Sequence, residues 1–349
     1  MRQKDIANDG PYPVYGASGI VGYSTTYQNE VQYVAVIKDG AGVGRARLCE
    51  PMSSVLGTMQ ALIPNEGVDC DYLLYLVDSM KLGSGFTGTT IPHIYFKDYG
   101  KRLVTAYDST ERHYIASTLN ALESLMAICR DCSSKLDQLV KSRFAEMFGD
   151  YESNEYDWPK ETLKERIQFL TSGSRGWAKY YSEEGELFIT IKNVKDCKIS
   201  LNDVQHVMPP HEAEAARTRV QAGDLLVSVT ADLGRTGVVS EELANQSAYI
   251  NQHLMLVRLD REYYNPLFVA YFMESPFGRV QFAKKNMAGV KAGLNFDSMK
   301  SFRLFRPPIN VQDEFVSFAQ QVDKSKFAVQ QAIEQLETLK ASLMQKYFG

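Results

Sequence analysis

Two stretches of the chain carry a helical pattern with nothing to interrupt it. From Ser109 to Phe148 there is no Pro or Gly, and the same holds from Ile309 to Phe348. In the second stretch apolar residues recur at 315, 319, 322, 329, 333, 336 and 343, in steps near four and three, with polar interruptions at Lys326 and Lys340. That spacing predicts a coiled-coil seam. The first stretch is introduced by Asp108-Ser109-Thr110-Glu111, an acidic, capping-box-like start. The second follows Pro307-Pro308, which a helix interior excludes. Both end in Phe-Gly, at Phe148-Gly149 and Phe348-Gly349. A helix of about 39 residues would be roughly 58 Å long, too long to be one wall of an ordinary domain. Its natural partner is the other copy.

Shifted by 200 residues, the two stretches align without a gap. Ser117 and Ser317, Leu136 and Leu336, Leu139 and Leu339, Ser142 and Ser342, and Phe148 and Phe348 are identical pairs. Ile115 with Phe315, Leu122 with Val322 and Glu123 with Asp323 are similar. The segments ahead of the helices correspond more loosely. Val36–Leu48 and Leu226–Val238 each read as an apolar strand, a tight turn ending in Gly-Arg (Gly44-Arg45, Gly234-Arg235) and a second strand. Tyr75–Ser79 parallels Tyr271–Ser275 as short helix material, and Phe96 matches Phe296 in the 200-residue register. The chain is therefore an internal repeat. The fold class expected is α+β, with two pseudo-symmetric strand-rich domains, each followed by a long helix, and the helices paired as an antiparallel coiled coil. The expected boundaries are 1–107, 108–149, 150–308 and 309–349.

Composition changes this picture little. The 349 residues are 44% hydrophobic, which is ordinary globular usage and enough chain for two cores. No apolar run of about 18 residues and no export signal is present, so a cytoplasmic protein is expected. Five cysteines are scattered through the chain. Cys129-Arg-Asp-Cys132 has CxxC spacing but no second pair, so disulfides and metal are not expected. His93, His206, His211 and His253 share no ligand spacing and read as ordinary histidines. The net charge of -4 argues mildly against nucleic acid, yet Phe272–Arg306 holds seven basic residues against two acidic ones. A basic face inside an acidic chain is compatible with that distribution.

Catalytic signatures are weak. Asn265-Pro-Leu-Phe268 lacks the second Pro of an adenine-methylating site and sits where Pro suits a helix start. Gly40-Ala-Gly-Val-Gly44 is half a dinucleotide fingerprint, but strand follows it rather than helix, and the acidic partner is missing. No phosphate-binding GxxxxGK[ST] loop occurs. A non-catalytic chain without a cofactor of its own is the expectation.

The combination of repeat and motifs resembles the DNA-specificity subunits of type I restriction-modification systems. Tyr12-Pro-Val-Tyr-Gly-Ala-Ser-Gly-Ile-Val-Gly-Tyr23 is similar to an opening common in their target-recognition domains. The Gly-Arg hairpins resemble that family's hairpin. Arg306-Pro-Pro-Ile-Asn-Val-Gln312 is similar to the segment that leads into its long helices, with Asn310 and Val311 departing from the usual residues. A second departure is the start: Trp158-Pro-Lys-Glu-Thr-Leu163 opens the second domain as the family's domains open, and nothing like it precedes Tyr12. The first domain is thus expected to be shortened at its N-terminus, which puts its completeness in doubt. The resemblance implies double-stranded DNA as ligand, read as two short blocks separated by a fixed spacer. It also implies two methyltransferase subunits, which would carry S-adenosylmethionine, and two ATP-driven restriction subunits as partners, with no membrane involved.

Reading DNA calls for polar loops with Arg, Lys, Asn, Ser or Thr near base edges and phosphates. In the second domain Thr171–Tyr181 stands out: Ser172, Ser174, Arg175 and Lys179 as polar contacts, and Trp177 and Tyr180 as stacking groups, with a core role for Trp177 equally open. Arg235 and the basic loop of Lys284, Lys285, Asn286 and Lys291 are further candidates, against the alternative of a solvated surface. In the first domain the equivalents are Lys38, Arg45, Arg47, Thr87, Thr89 and Thr90. Leu125, Ile128, Leu139 and Leu339 are candidate partner-docking positions on the helices, or else parts of a wider seam. A different class of function remains in view: a coiled-coil scaffold with two β-rich modules that bind peptides or glycans.

Overall fold

A computed structural model describes every residue except 7–8, 86–91, 211–212 and 288–292. The two uninterrupted stretches are single helices, Ser109–Phe148 and Ile309–Phe348. The chain divides into two units, Met1–Ser133 with Ala328–Gly349, and Ser134–Phe327. Each long helix passes from one unit into the other. The expected α+β class, strand-rich domains feeding long antiparallel helices, is borne out.

In the first unit the strand Tyr33–Ile37 is buried along its whole length. Val and Ile dominate it, as suits a strand covered on both faces. It lies between Ala46–Cys49 and Met59–Leu62, antiparallel to both. A second sheet pairs Tyr12–Gly16 with Gly19–Ser24 in a bulged hairpin and, in parallel, with Ser54–Val55. The amphipathic helix Cys70–Ser79 turns Tyr72 and Tyr75 toward Ile115 and Leu119 of the central helix and toward Leu336, Leu343 and Phe348 of the C-terminal helix.

The second unit is built on the same plan with more strands. Leu225–Ser228 and Leu254–Leu259 are central in a four-stranded antiparallel sheet with Thr236–Val238 and Ile167–Ser172 at its edges. A smaller sheet orders Ala248–Ile250, Glu186–Ile189, Gln205–Val207 and Tyr181–Ser182. Lys160–Thr162 pairs with Arg303–Phe305 just ahead of the C-terminal helix. Pro266 starts the helix Pro266–Glu274, where its missing amide costs nothing and the Asn265 side chain caps the Leu267 amide at 3.0 Å. Phe268 and Phe272 of that helix meet Phe148 and Phe315 in a dense aromatic core.

The helix seam is visible within each unit. In the first, Arg130 pairs with Glu337 at 3.1 Å and Lys340 with Glu123; in the second, Arg143 pairs with Glu314 at 3.3 Å and Lys326 with Asp137. Numbers that rise along one helix meet numbers that fall along the other, so the pairing is antiparallel. Lys326 and Lys340, the two polar interruptions in the apolar spacing, are the residues that reach across to carboxylates. The Phe-Gly endings also have a structural reading: Phe148 ends one helix inside the second unit's core, and Phe348 ends the other against Tyr72 of the first, ring centroids 5.5 Å apart. Each unit is thus completed by the end of the helix that follows the other. Among the described residues no helix is long and apolar enough to cross a membrane.

Candidate nucleic-acid interface

The most clearly repeated site element is the Gly-Arg hairpin. In the first unit the Gly44 amide donates to the Ile37 carbonyl at 2.8 Å, and the Ile37 amide donates to the Arg45 carbonyl at 2.9 Å. In the second, the Gly234 amide donates to the Ser228 carbonyl at 3.0 Å, and the Ser228 amide donates to the Arg235 carbonyl at 2.9 Å. Both glycines have left-handed φ, +84° and +75°. A Cβ at Gly44 would lie 2.1 Å from the Gly83 amide nitrogen, and one at Gly234 would lie 2.2 Å from the Phe282 ring. Only glycine lets each turn sit this close to the backbone or ring behind it. The following arginine is then carried at the same place on each hairpin.

The two arginines are held differently. Arg45 is exposed, its Nε donating to the Gly42 carbonyl at 3.3 Å. Arg235 is part-buried and ion-paired with Asp232 of its own turn. Behind the second hairpin, the buried Asp224 carboxylate takes two 2.8 Å bonds from Arg258, and Glu274 accepts from the Thr236 amide at 2.8 Å while pairing with Arg279 at 2.9 Å. Arg279, one of the basic residues of the Phe272–Arg306 stretch, therefore braces the hairpin. Arg306 likewise pairs with Glu161 at 3.2 Å. In the first unit, Lys38 and Arg47 are half-buried, Arg47 on the strand opposite Ala35.

The Thr171–Tyr181 stretch divides. Arg175 and Lys179 are exposed and Tyr180 is half-buried, with Lys179 Nζ 4.8 Å from the Tyr180 ring. Trp177 faces inward, only 3% exposed, stacked on Phe188 at 5.6 Å and donating from its indole nitrogen to Glu214 at 3.3 Å. Ser174 is buried, its hydroxyl 3.0 Å from that of Thr218. These two side chains have no free face for a base, because the short helix Ala213–Thr218 closes over them. Half-buried Ser172 holds Arg217 by its carbonyl at 2.6 Å. Arg217 was not among the sequence candidates. It stands in a stretch where Glu212 and Glu214 balance Arg217 and Arg219, and only the fold places it beside the Arg175 stretch.

The basic loop is tethered in part. Lys284 is exposed, but Lys285 Nζ donates to the Ser301 hydroxyl at 2.6 Å, and burial, with Arg303 nearby, lowers the pKa of its ammonium. Asn286 accepts from the Gly293 amide at 2.9 Å. Lys291, Thr87, Thr89 and Thr90 lie outside the described residues, as does His211. Among the other histidines, His253 Nδ1 lies 2.8 Å from the Thr230 hydroxyl, and His93 contacts Asp39. Leu125, Ile128 and Leu339 in the first unit and Leu139 in the second are all exposed on the long helices.

Strand-rich units that feed long helices are a fold this chain shares with solved type I restriction-modification specificity subunits. The chain aligns over its whole length with the crystal structure of the type I restriction-modification S subunit from M. genitalium, covering 91% of that chain at a TM-score of 0.59 and 16% identity. A structure described as the basis of complex assembly and conformational transition of the type I system matches 92% of this chain and 82% of its own at 0.59 and 15% identity. In sequence, 172 residues are 23% identical to the specificity subunit of the type I restriction enzyme EcoBI of Escherichia coli, 48% of this chain. That match spans 35% of the length of the EcoBI subunit. No protein-family model matches the chain. The resemblance to type I specificity subunits is thus borne out by sequence similarity over 172 residues and by fold.

Proposed function

We propose that this chain is the DNA-reading subunit of a type I restriction-modification complex. The observation that carries the reading is the repetition of one arginine-bearing hairpin, with the same hydrogen bonds, in two units that share a pair of long helices. Each unit reads one short block of base pairs, with Arg45 and Arg235 as base or phosphate contacts and Arg175, Lys179, Tyr180, Arg217 and Lys284 as flanking groups. Good side-chain contacts to bases discriminate by about 1–3 kcal/mol each. Two blocks at fixed separation add those energies, and the helix pair fixes the unread spacer. The exposed Leu125, Ile128, Leu139 and Leu339 dock methyltransferase subunits, which carry the chemistry; restriction subunits join outside them. The chain itself is non-catalytic and works in the cytoplasm.

The test is selection from a random-sequence duplex library by the chain with its methyltransferase subunit. Enrichment of two blocks with a constant gap, weakened by salt, is the expected result. Absence of any bipartite motif, with retention of peptides or glycans instead, would replace this reading with the scaffold one.

A further inference from the structure

The strand beyond each Gly-Arg hairpin, Met59–Leu62 in the first unit and Leu254–Leu259 in the second, begins from the same tight turn. In residues 56–59 the Met59 amide donates to the Leu56 carbonyl at 2.9 Å; in residues 251–254 the Leu254 amide donates to the Asn251 carbonyl at 3.0 Å. Met59 lies opposite Ile37 and Leu254 opposite Ser228, the two residues that exchange bonds with the Gly-Arg turns. Gln252 and His253 therefore stand where Gly57 and Thr58 stand. The backbones match, and the side chains do not.

In the second unit this turn lies between two arginine-bearing elements. On one side the Val229 amide donates to the His253 carbonyl at 3.0 Å, and Ser228 is bonded in its turn to Arg235. On the other side the Gly173 amide donates to the Leu254 carbonyl at 3.0 Å, and a Cβ at Gly173 would lie 2.0 Å from the Asn251 carbonyl oxygen. The segment that leads to the exposed Arg175 thus runs against the turn. Two strand spacings of about 4.8 Å separate Arg235 from the turn, which is roughly three base-pair steps.

The Gln252 amide is held at its nitrogen. His253 Nδ1 lies 2.8 Å from the Thr230 hydroxyl, and its Nε2 lies 3.2 Å from the Gln252 amide nitrogen. An amide nitrogen only donates, so Nε2 accepts, and the proton of the neutral ring sits on Nδ1 and goes to Thr230. The Asn251 side-chain oxygen accepts from the His253 backbone amide at 3.2 Å and stiffens the turn. One amide hydrogen of Gln252 is thereby used. Its other hydrogen and its oxygen form a planar donor and acceptor pair, which matches adenine in the major groove, where N6 donates and N7 accepts.

We propose that Gln252 reads an adenine in the block bound by the second unit, with His253 and Thr230 fixing which way its amide points. The assignment rests on the DNA-reading function proposed above and adds a residue and a base to it. Gly57 gives the first unit no side chain at this place, so two units built on one hairpin read different blocks.

Selection from the random duplex library, with the methyltransferase subunit present, is run on the parent chain and on Gln252→Ala, Gln252→Glu and His253→Ala. Gln252 is half-buried in a turn, and the block read by the first unit reports in every form that the protein is folded. The parent should enrich adenine at one position of one block. Gln252→Ala should lower that preference at least ~5-fold, at that position alone. Gln252→Glu, whose carboxylate only accepts, should put cytosine there in place of adenine, since cytosine N4 donates. His253→Ala frees the amide and should lower the adenine preference without installing another base. A parental motif unchanged in Gln252→Ala, adenine retained in Gln252→Glu, or loss of both blocks together would each overturn the assignment and leave the DNA reading in place. An unchanged preference in His253→Ala would overturn the part given to His253. No bipartite motif from the parent would overturn the DNA reading and the assignment with it.

Discussion

The two units solve one packing problem with different completeness. In the second, the short helix Pro266–Glu274 shares one core with Phe148, Phe315 and Phe305, and of its apolar residues only Leu267 and Tyr271 stay half-buried. In the first, the equivalent helix Cys70–Ser79 is covered by Ile115, Leu119 and Phe348, but a cavity lined by Val68, Leu73, Leu76 and Val104 stays open beside it. The same residue in the register therefore has different surroundings: Phe148 is fully buried, whereas Phe348 is part-exposed. Repetition of sequence fixes which residues meet, and the elements around them decide how much each meeting is worth.

Four measurements break or sharpen this comparison. The largest effect belongs to the paired phenylalanines. Phe148→Ala removes a ring from a closed aromatic core and should cost about 3–5 kcal/mol by denaturant unfolding; Phe348→Ala should cost less than half of that. Equal costs would mean that the two units are equally closed. Next come the thiols. Cys49 in the first unit has its pKa pushed up to about 11, chiefly by burial, and burial likewise raises that of Cys197 in the second. Thiolate is the reactive form, so both should label with maleimide at least ~100-fold more slowly than exposed Cys132, with Cys49 ahead of Cys197. The reverse order would make the second unit the looser one.

Arg45→Ala and Arg235→Ala should each weaken binding to the selected duplex by about 1–3 kcal/mol and relax selection in one block only. A loss spread evenly over all sequences, with a shallower salt dependence, would reassign that arginine to phosphate. The smallest effects belong to the seam: Lys340→Ala in the first unit and Lys326→Ala in the second should cost about 0.2–1 kcal/mol, less at high salt. A cost of several kcal/mol at either lysine would contradict its part-exposed setting.

Much of the fold could be read from the sequence because helical periodicity is local and long. Forty residues without Pro or Gly, a shared register and a Phe-Gly ending were enough to predict both helices and their pairing. The Gly-Arg turns were legible because positive φ and close approach leave glycine little competition. The site was less legible, since polar loops carry no period. Nothing local in Ser172–Tyr180 says that Trp177 turns inward onto Phe188, or that Ser174 bonds Thr218 across 44 residues. Charge alone did not show that Arg279 and Arg306 brace Glu274 and Glu161, or that Arg217, itself 3.8 Å from Glu214, lies beside the exposed stretch.

The division of the chain also sets an order of assembly. Ser134–Phe327 is one continuous run, so the second unit has all its parts as soon as residue 327 has left the ribosome. The first unit has most of its residues far earlier, yet must wait for Leu336, Leu343 and Phe348 to cover Tyr72, Tyr75 and Ile115. During synthesis its apolar helix face stays open for some 200 residues of elongation, roughly 10–40 s at ribosomal rates. The unit that is made earlier is closed later, and a chaperone would find a long-lived hydrophobic target there.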